Sequence, residues 1–420
     1  MNTFASFGLD QNLLKGLRDL GFVHPTPIQG DSIPAAMQGR DVLASAVTGS
    51  GKTAAFLLPI LHHLIAKPRG STRALVLTPT RELAAQILEQ LDAIAEHTPV
   101  TGAVVIGGVG MGPQEHALRS GMDVIVATPG RLQDHMKFPY ARLDRVEYLV
   151  LDEADRMLDM GFLPEIRKIL KALPPRRQTL FFSATMPAPI AQLSREMLHN
   201  PVSINIERES KPAAGITQAV YPVPQALKSM LLVALLKKGE MREALVFTRT
   251  KHRANRLTEH LVRNGIDAQR IHGNRSQAQR TAALAAFKSG KLRVLVATDI
   301  AARGIDVEAL GHVVNFDVPV VPDDYVHRVG RTGRAEMTGD AFTFVSPEEE
   351  GELRAIERVV GKRLPRVMVP DFDYTARVAA LEVPIAQRIA EIKARKRTER
   401  ERAKVNAERR ASGGGGRRRR

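Results

Sequence analysis

The 420-residue chain contains no cysteine and no tryptophan, and only 5% of its residues are aromatic. The absence of cysteine excludes disulfide frameworks and cysteine-based zinc fingers, and it is compatible with a reducing cytosol. No apolar run approaches the roughly 18–20 residues that a membrane-spanning helix needs. The first residues, 1–6, lack the basic start and the apolar core of a signal peptide. The sequence therefore predicts a cytoplasmic protein that has no membrane partner.

Positive charge is in excess, with 61 Lys and Arg against 45 Asp and Glu and a formal net charge of +16. Such a surface favours a polyanionic partner, and nucleic acid ranks before an anionic membrane. The excess is concentrated in residues 390–420, which hold 13 basic and 4 acidic residues. This segment is expected to be an electrostatic tether for nucleic acid. The alternative is a charged extension that only keeps the protein soluble.

The chain is too long for one hydrophobic core, so two domains and a tail are expected. Short apolar runs alternate with longer helical patterns, which predicts an α/β fold with parallel sheets flanked by helices. The polar stretch 207–217 is typical of a linker, giving domains at 1–206 and 218–366 and a basic extension at 367–420. The predicted strands are residues 42–44, 74–77, 124–127, 148–151, 180–182, 244–247, 294–297, 313–316 and 341–344.

A glycine-rich segment, Gly49-Ser50-Gly51-Lys52-Thr53, lies between the apolar run 42–44 and a helical pattern that starts near Ala54. In this context backbone N–H groups and the helix N-terminus can hold phosphates. Lys52 would then reach the β and γ oxygens, and Thr53 would bind Mg²⁺. The alternative is a glycine-rich turn that carries one surface lysine.

Two acids, Asp152 and Glu153, follow the apolar run 148–151, at a strand end where ligands collect in open α/β sheets. Asp152 would hold Mg²⁺, and Glu153 would accept a proton from the attacking water. The alternative is a helix N-terminus that favours acidic residues. Together with the phosphate loop, the pair predicts hydrolysis of a nucleoside triphosphate.

The motif Asp152-Glu153-Ala154-Asp155 and the phosphate loop together resemble the DEAD-box RNA helicases, and the likeness covers roughly residues 4–350. The resemblance implies two tandem RecA-like domains that bind ATP and Mg²⁺ in the cleft between them. Residues 21–29 resemble the Q motif, in which Gln29 reads the adenine edge while Phe4 stacks on the ring. The implied nucleotide contacts are Phe4, Thr26, Gln29, Ala46, Thr48, Gly49, Ser50, Gly51, Lys52, Thr53 and, at the ribose, Asp306.

The same resemblance implies RNA contacts from both halves, mainly to phosphate and sugar groups. Without the resemblance, Thr80-Arg81-Glu82 could be a helix cap with an internal ion pair. Asp155, Ser183 and Thr185 would couple ATP to domain closure, although Ser183-Ala184-Thr185 alone is typical of a helix-capping turn. The implied RNA contacts are Pro79, Thr80, Arg81, Gly107, Gly108, Thr128, Arg131, Arg249, Gln277, Arg280 and Thr298.

Several arginines cluster in residues 327–334, and the alternative to a catalytic role is a solvated basic helix. By resemblance, Arg331 and Arg334 are arginine fingers and His327 contacts the coupling elements of the first domain. Closure would separate short RNA duplexes locally. The chain looks most like the RhlE-type bacterial branch, which suggests ribosome assembly or RNA turnover, with ribosomal precursors or an RNA-decay complex as partners. A DNA-directed translocase and a non-catalytic RNA clamp are the alternative functions.

Overall fold

The computed structural model describes residues 3–46, 50–205, 215–302, 310–332 and 339–376. Four predicted site residues, Thr48, Gly49, Asp306 and Arg334, lie outside these ranges, as do most of the predicted linker and the basic segment 390–420. Within the described ranges, no helix combines the length and the apolar character needed to cross a bilayer.

The first half of the chain forms a parallel sheet of seven strands with helices on both faces. The strands are β1 (Val42–Ser45), β2 (Ala74–Leu77), β3 (Gly102–Val105), β4 (Val124–Ala127), β5 (Tyr148–Leu151), β6 (Gln178–Ser183) and β7 (Val202–Asn205). The helices are α1 (Gln11–Asp19), α2 (Pro27–Met37), α3 (Lys52–Ile65), α4 (Arg81–Ala95), α5 (Met111–Ser120), α6 (Pro129–Met136), α7 (Ala154–Asp159), α8 (Leu163–Ala172) and α9 (Ala188–Met197). Their order across the sheet is β3-β4-β2-β5-β6-β1-β7.

The second half forms a parallel sheet of six strands. The strands are β8 (Ile216–Pro222), β9 (Ala244–Thr248), β10 (Ala268–Ile271), β11 (Val294–Thr298), β12 (His312–Asn315) and β13 (Gly339–Val345). The helices are α10 (Lys228–Lys238), α11 (Lys251–Arg263), α12 (Gln277–Lys288), α13 (Asp299–Ala302), α14 (Pro322–Val329) and α15 (Glu350–Val360). The order β10-β11-β9-β12-β13-β8 repeats that of the first sheet, with β8 in the place of β1. This confirms the predicted α/β class with two RecA-like domains.

All nine predicted strands are present, and the four strands that the sequence did not predict are the edges of the two sheets. A strand with neighbours on both sides and helices on both faces reads as a continuous apolar run. The edge strands β3, β7 and β10 instead carry two or three partly or fully exposed side chains among their four residues. The fourth, β8, carries polar Thr217 and Gln218 in its first half. Their sequences therefore lack the apolar signal.

Two predicted boundaries of the second domain differ from the structure. Strand β8 begins at Ile216, which pairs with Gly339, so the predicted linker 207–217 ends two residues too late. The predicted extension starts at 367, yet Val369 is buried in the second core and Phe372 packs against it. The N–H of Val367 also donates to the carbonyl of Val220 at 2.8 Å. Because these apolar residues form no regular strand pattern, the sequence did not show that they continue the domain.

Candidate functional site

The phosphate-loop lysine lies at the start of α3, directly after β1 and its loop. Gly51 precedes it with a φ of +92°, in the left-handed region that favours glycine. Lys52 exposes only 6% of its surface, and its Nζ donates to the carbonyl of Ala46 at 3.2 Å. The same Nζ lies 3.8 Å from Oδ1 of Asp152. The fold therefore brings the predicted phosphate-binding lysine to the predicted metal-binding acid.

Asp152 is 2% exposed at the end of β5. Burial raises the pKa of its carboxyl to about 6, and the nearby ammonium of Lys52 partly opposes the shift. Glu153 is also buried and has a φ of +53°, an unusual backbone for a residue with a side chain. Oxygen donors such as Asp152 and the Thr53 hydroxyl are the ligands that Mg²⁺ prefers. The residues fit this ion, because added positive charge would offset the burial of the Asp152 carboxylate.

The Q-motif side chains hold the phosphate loop directly. Oγ1 of Thr26 donates to the carbonyl of Ser50 at 2.8 Å, and Nε2 of Gln29 donates to that of Gly51 at 3.1 Å. Oε1 of Gln29 also accepts from the Thr26 N–H at 2.9 Å. A Cβ at Gly51 would lie 2.5 Å from Nε2 of Gln29. The Gln29 amide still has one N–H and one acceptor position, which is the capacity that an adenine edge requires.

The ring of Phe4 belongs to the core of the first domain. It is buried, stacks on Phe22 at 6.4 Å and meets Phe7 edge-on at 6.1 Å. These contacts fix the ring against the residues on both sides of α1. Its predicted stacking on adenine stays a prediction.

Asp155, Ser183 and Thr185 form one hydrogen-bonded unit between α7 and the end of β6. Oδ2 of Asp155 accepts from the N–H and the Oγ1 of Thr185, both at 2.8 Å. Oγ of Ser183 accepts from the N–H of Asp155 at 3.2 Å and donates to the carbonyl of Thr185 at 2.7 Å. The N-cap of α9 is Pro187. The alternative of a helix-capping turn is therefore wrong, since the two hydroxyls bind the acid motif.

The first-domain RNA candidates share the edge of the sheet at which β2, β3 and β4 end. Oγ1 of Thr80 accepts from the N–H of Leu83 at 3.2 Å and caps α4. The guanidinium of Arg81 packs so closely on the next loop that a Cβ at Gly108 would lie 1.9 Å from its Nη1. Arg131 donates to the carbonyl of Val109 at 2.7 Å. Pro79, Gly107 and Thr128 lie at the same strand ends.

Glu82 is a residue that the sequence interpretation did not select as functional. Its Oε1 accepts from Nε2 of Gln277 at 3.0 Å, and its Oε2 lies 2.8 Å from Nη2 of Arg280. Both partners belong to α12 of the second domain, so the ion pair is not internal to the Thr80-Arg81-Glu82 segment. The spacing of Gln277 and Arg280, which places them on one face of a helix, was the available signal. Their predicted RNA contacts stay predictions.

Three residues of the arginine cluster, His327, Arg328 and Arg331, line one small cleft. Arg328 is buried, forms a bidentate pair with Asp299 at 2.6 and 2.8 Å, and donates to the Asp317 carbonyl at 2.8 Å. It therefore fastens α14 to α13 and to the end of β12. The alternative of a solvated basic helix is wrong for Arg328 and Arg331, because both are buried.

Across this cleft, Nη1 of Arg156 from α7 lies 3.5 Å from Oδ1 of Asp324 on α14. The sequence interpretation missed both residues. The remaining second-domain candidates lie at strand ends: Thr298 ends β11, and Arg249 follows β9. The guanidinium of Arg249 donates to the carbonyl of Val318 at 3.1 Å. The helix that follows Asp152 and Glu153 thus contacts the helix that precedes Arg331.

Comparisons with known proteins identify the family. Residues 26–193 match the DEAD/DEAH box helicase family, and residues 225–336 match the helicase conserved C-terminal domain. The chain is 44% identical to the ATP-dependent RNA helicase CshA of Listeria monocytogenes, with 89% of this chain and 72% of that relative covered. Identity to the DEAD-box ATP-dependent RNA helicase CshA of Geobacillus kaustophilus is 43%, with 89% and 80% covered.

The fold is similar to that of S. cerevisiae Dbp5 bound to RNA and ADP BeF3, with a TM-score of 0.80 and 30% identity. The alignment covers 88% of this chain and 97% of that one. The match thus includes both sheets and the cleft between them. From the family matches, the similarity over nearly the whole of both domains and the assembled acid and phosphate-loop residues, we conclude that this chain belongs to the DEAD-box ATP-dependent RNA helicases.

Proposed function

We propose that this RNA helicase hydrolyses ATP between its two domains and uses the same closure to grip RNA. The observation that carries the proposal is a pair of contacts between the domains. Glu82 meets Gln277 and Arg280 beside the RNA candidates, and Arg156 meets Asp324 beside the acid motif. A ligand that favours either contact therefore favours the closed arrangement at both sites.

In the proposed reaction, an attacking water forms a bond to the γ phosphorus while the bond to the β–γ bridging oxygen breaks. Glu153 accepts the proton of that water, and ADP and phosphate leave. Lys52 and Arg331, with Arg334 from outside the described residues, stabilise the charge that develops on the phosphate oxygens. Thr53 and Asp152 would hold the Mg²⁺, which supplies further neutralisation of that charge.

RNA would cross both domains. It would follow the strand ends that carry the first-domain candidates and then, in the second domain, Thr298 and the start of α12. The contacts offered there are hydroxyls, guanidinium groups and glycine N–H groups, which suit phosphate and ribose oxygens. We therefore expect little sequence preference from the two domains. RNA that contacts both of them would hold the cleft closed, and hydrolysis would release it.

The proposal has three finer parts. They are a place in the RhlE-type branch, a role in ribosome assembly or RNA turnover, and a cytoplasmic location. The basic segment 390–420 supports an RNA tether, whose affinity would fall with salt as counterions are released. The relatives compared above carry the name CshA, so the branch stays a prediction. Co-sedimentation of the protein with ribosomal precursors, or with an RNA-decay complex, would test the cellular role.

The chemical assignment is tested by replacing the proposed base with its amide, Glu153→Gln. We expect ATP and RNA to bind as they do to the wild type, while turnover falls on the order of 10²-fold or more, because the proton acceptor is lost. Steady-state ATPase rates are measured without nucleic acid, with single-stranded RNA and with DNA of the same sequence.

Glu196→Gln is the matched control, since Glu196 lies on α9 of the same domain, where it pairs with Arg167 at 3.2 Å. It should leave the rate unchanged. A Glu153→Gln variant with normal turnover would contradict the base assignment. Equal stimulation of the wild type by DNA would contradict RNA-selective closure and favour a general nucleic-acid translocase.

A further inference from the structure

A groove of about 500 Å³ lies at the edge of the first sheet opposite to the proposed RNA path. Its lining residues precede β2, β4 and β5 in the chain, whereas the RNA candidates follow β2, β3 and β4. Because the strands are parallel, these two sets lie at opposite ends of the same strands. The proposed catalysis uses no residue of this groove.

Tyr140 lines the groove and belongs to an aromatic stack that continues to Phe138 beside it. The ring of Tyr140 lies parallel to that of Phe138, with 5.4 Å between centroids and 6° between planes. The guanidinium carbon of Arg119 lies 4.7 Å from the Tyr140 centroid, and the Tyr140 hydroxyl lies 3.0 Å from Nδ1 of His135. Phe138 nevertheless exposes 48% of its surface. The stack is fixed from within and leaves a large aromatic surface in contact with solvent.

The charge around this stack is positive on balance. Arg119, Arg142 and Arg145 line the groove together with one acid, Asp144. Asp144 lies 3.6 Å from Arg142, and Glu115 on α5 pairs with Arg119 at 2.8 Å. Arg145 is exposed and has no ion pair within the ranges that the structure describes. A cationic group thus remains available in the groove that Tyr140 also lines.

Flat aromatic faces next to arginines are the means by which proteins bind single-stranded nucleic acid without reading its sequence. An acidic peptide would use the arginines but would have no use for the ring face. We propose that the aromatic groove, defined by Phe138, Tyr140, Arg119, Arg142 and Arg145, is a second RNA subsite. One base of the strand stacks on Phe138, while Arg142 and Arg145 bind the neighbouring phosphates.

The path to this subsite follows the helices α5 and α6. Both begin at loops with RNA candidates, after Gly108 and at Thr128, and both end at the groove. Since α6 has 8 residues, the separation is about 12 Å. RNA that extends beyond the proposed clamp can therefore reach the groove. The inference rests on the proposed function, because the clamp supplies the first part of the strand.

The test compares oligouridines of about 6 and about 20 nucleotides, a range that separates single-site from extended binding. Affinities are measured by fluorescence anisotropy for wild type and for Phe138→Ala, Phe138→Trp and Arg145→Glu. We expect Phe138→Ala to bind the long RNA about fivefold or more weakly, the equivalent of one lost base stack. Phe138→Trp should retain the affinity, and Arg145→Glu should lose affinity and lower the salt dependence.

Binding of the short RNA, and the ATPase rate that it stimulates, should stay at wild-type values in all three variants. The control Arg176→Glu changes an exposed arginine of the loop before β6, at the same edge of the sheet but outside the groove. It should match the wild type. If Phe138→Ala and Arg145→Glu keep the wild-type gain in affinity with RNA length, the subsite is overturned.

Polyglutamate, added as a competitor, tests whether the groove binds acidic protein instead of RNA. Displacement of the long RNA by polyglutamate from wild type and Phe138→Ala alike would overturn base stacking in favour of a site for acidic protein. Failure of the short RNA to stimulate the wild-type ATPase would contradict the clamp itself. The two proposals therefore fail in distinguishable ways.

Discussion

Two lysines occupy the same place in the two domains and have different environments. Lys52 begins α3 after β1, and Lys228 begins α10 after β8, the strand that takes the place of β1 in the second sheet. The ammonium of Lys52 contacts one carbonyl and lies 3.8 Å from Asp152. That of Lys228 is fully buried, donates to the carbonyls of Phe316 and Phe344 at 2.9 and 2.8 Å, and pairs with Glu349.

The difference teaches that the fold provides the position and the local residues decide its use. In the first domain the Ala46 carbonyl and the Asp152 carboxylate lie beside the lysine, an arrangement that suits phosphate and metal. In the second domain, carbonyls from the ends of β12 and β13 and the Glu349 carboxylate satisfy all three of its donors. Lys228 therefore forms a structural contact in the place where we propose that Lys52 binds the nucleotide.

The helices that follow β5 and β12 also occupy matching places in the two domains and differ in their residues. The first, α7, carries the acid motif, and the second, α14, leads into the arginine cluster. Across the cleft, Arg156 of α7 meets Asp324 of α14. An ion pair between corresponding helices of a duplicated fold thus holds the proposed acid and arginine sets near each other.

The largest expected effect is on stability, from Lys228→Met. The variant removes the buried ammonium that pairs with the Glu349 carboxylate and leaves the more exposed Arg249, at 3.6 Å, as a weaker partner. Breaking a buried pair costs on the order of 3–5 kcal/mol. The free energy of unfolding, from urea titration, should fall by about this amount, while RNA-stimulated ATPase below the unfolding transition should persist. An unchanged unfolding midpoint would contradict the structural role of Lys228.

The matched substitution in the first domain, Lys52→Met, should show the opposite pattern. Loss of the ammonium removes charge stabilisation at the phosphates and lowers kcat on the order of 10²–10³-fold, as for other electrostatic contributors to a transition state. The unfolding midpoint should change less than for Lys228→Met, because Asp152 loses an ion pair at 3.8 Å and no hydrogen bond. Stability loss without an activity loss would erase the distinction between the two lysines.

A smaller effect, on the free energy of unfolding, is expected from a side chain that follows the end of an edge strand, and β3 and β10 differ in the residue used there. In the first domain a neutral amide, Gln114, bonds both the N–H and the carbonyl of Ile106, at 2.9 and 3.1 Å. In the second, His272 has this role, with Nδ1 3.3 Å from the Asn274 N–H and Nε2 2.9 Å from Oδ1 of Asn255. Burial, followed by the Arg270 charge, lowers the pKa of His272 to about 4.

Between this pKa and the unfolded value near 6.5, the unfolded chain binds more protons, so stability falls as the pH falls through this window. The neutral variant His272→Gln lacks this contribution. Urea unfolding at about pH 7 and about pH 5 should therefore show a larger loss of stability for wild type than for His272→Gln. Equal losses in the two proteins would show that His272 is not held neutral.

Much of this arrangement could be predicted from the sequence. The parts that could not be predicted have one physical cause in common. Strands buried on both faces gave apolar runs, whereas the edge strands β3, β7, β8 and β10 did not. Lys52 and Asp152 were predictable because each belongs to a local motif with a fixed strand and helix context. Glu82 and Arg156 were not, because their partners belong to the other domain and no local spacing encodes the docking of two domains.

The structural contact of Arg328 was not predictable for a related reason. Arg328 and Arg331 both line the cleft, and Arg328 also bonds Asp299 within its own domain. That bond depends on the packing of α14 against α13, which no local spacing encodes. The chemical roles of the individual site residues stay predictions that the variants above would test.

The most direct test of closure as the coupling device is a reciprocal titration. RNA affinity is measured with and without a non-hydrolysable ATP analogue, and analogue affinity with and without RNA. Linkage requires the same factor in both directions, and typical couplings are about 5- to 150-fold. The titration is repeated for Glu82→Gln, with Glu89→Gln on the exposed face of the same helix as the control. The account predicts that only Glu82→Gln loses most of the factor, while its affinity for the analogue alone stays at the wild-type value. A Glu82→Gln variant with the full coupling factor would contradict it.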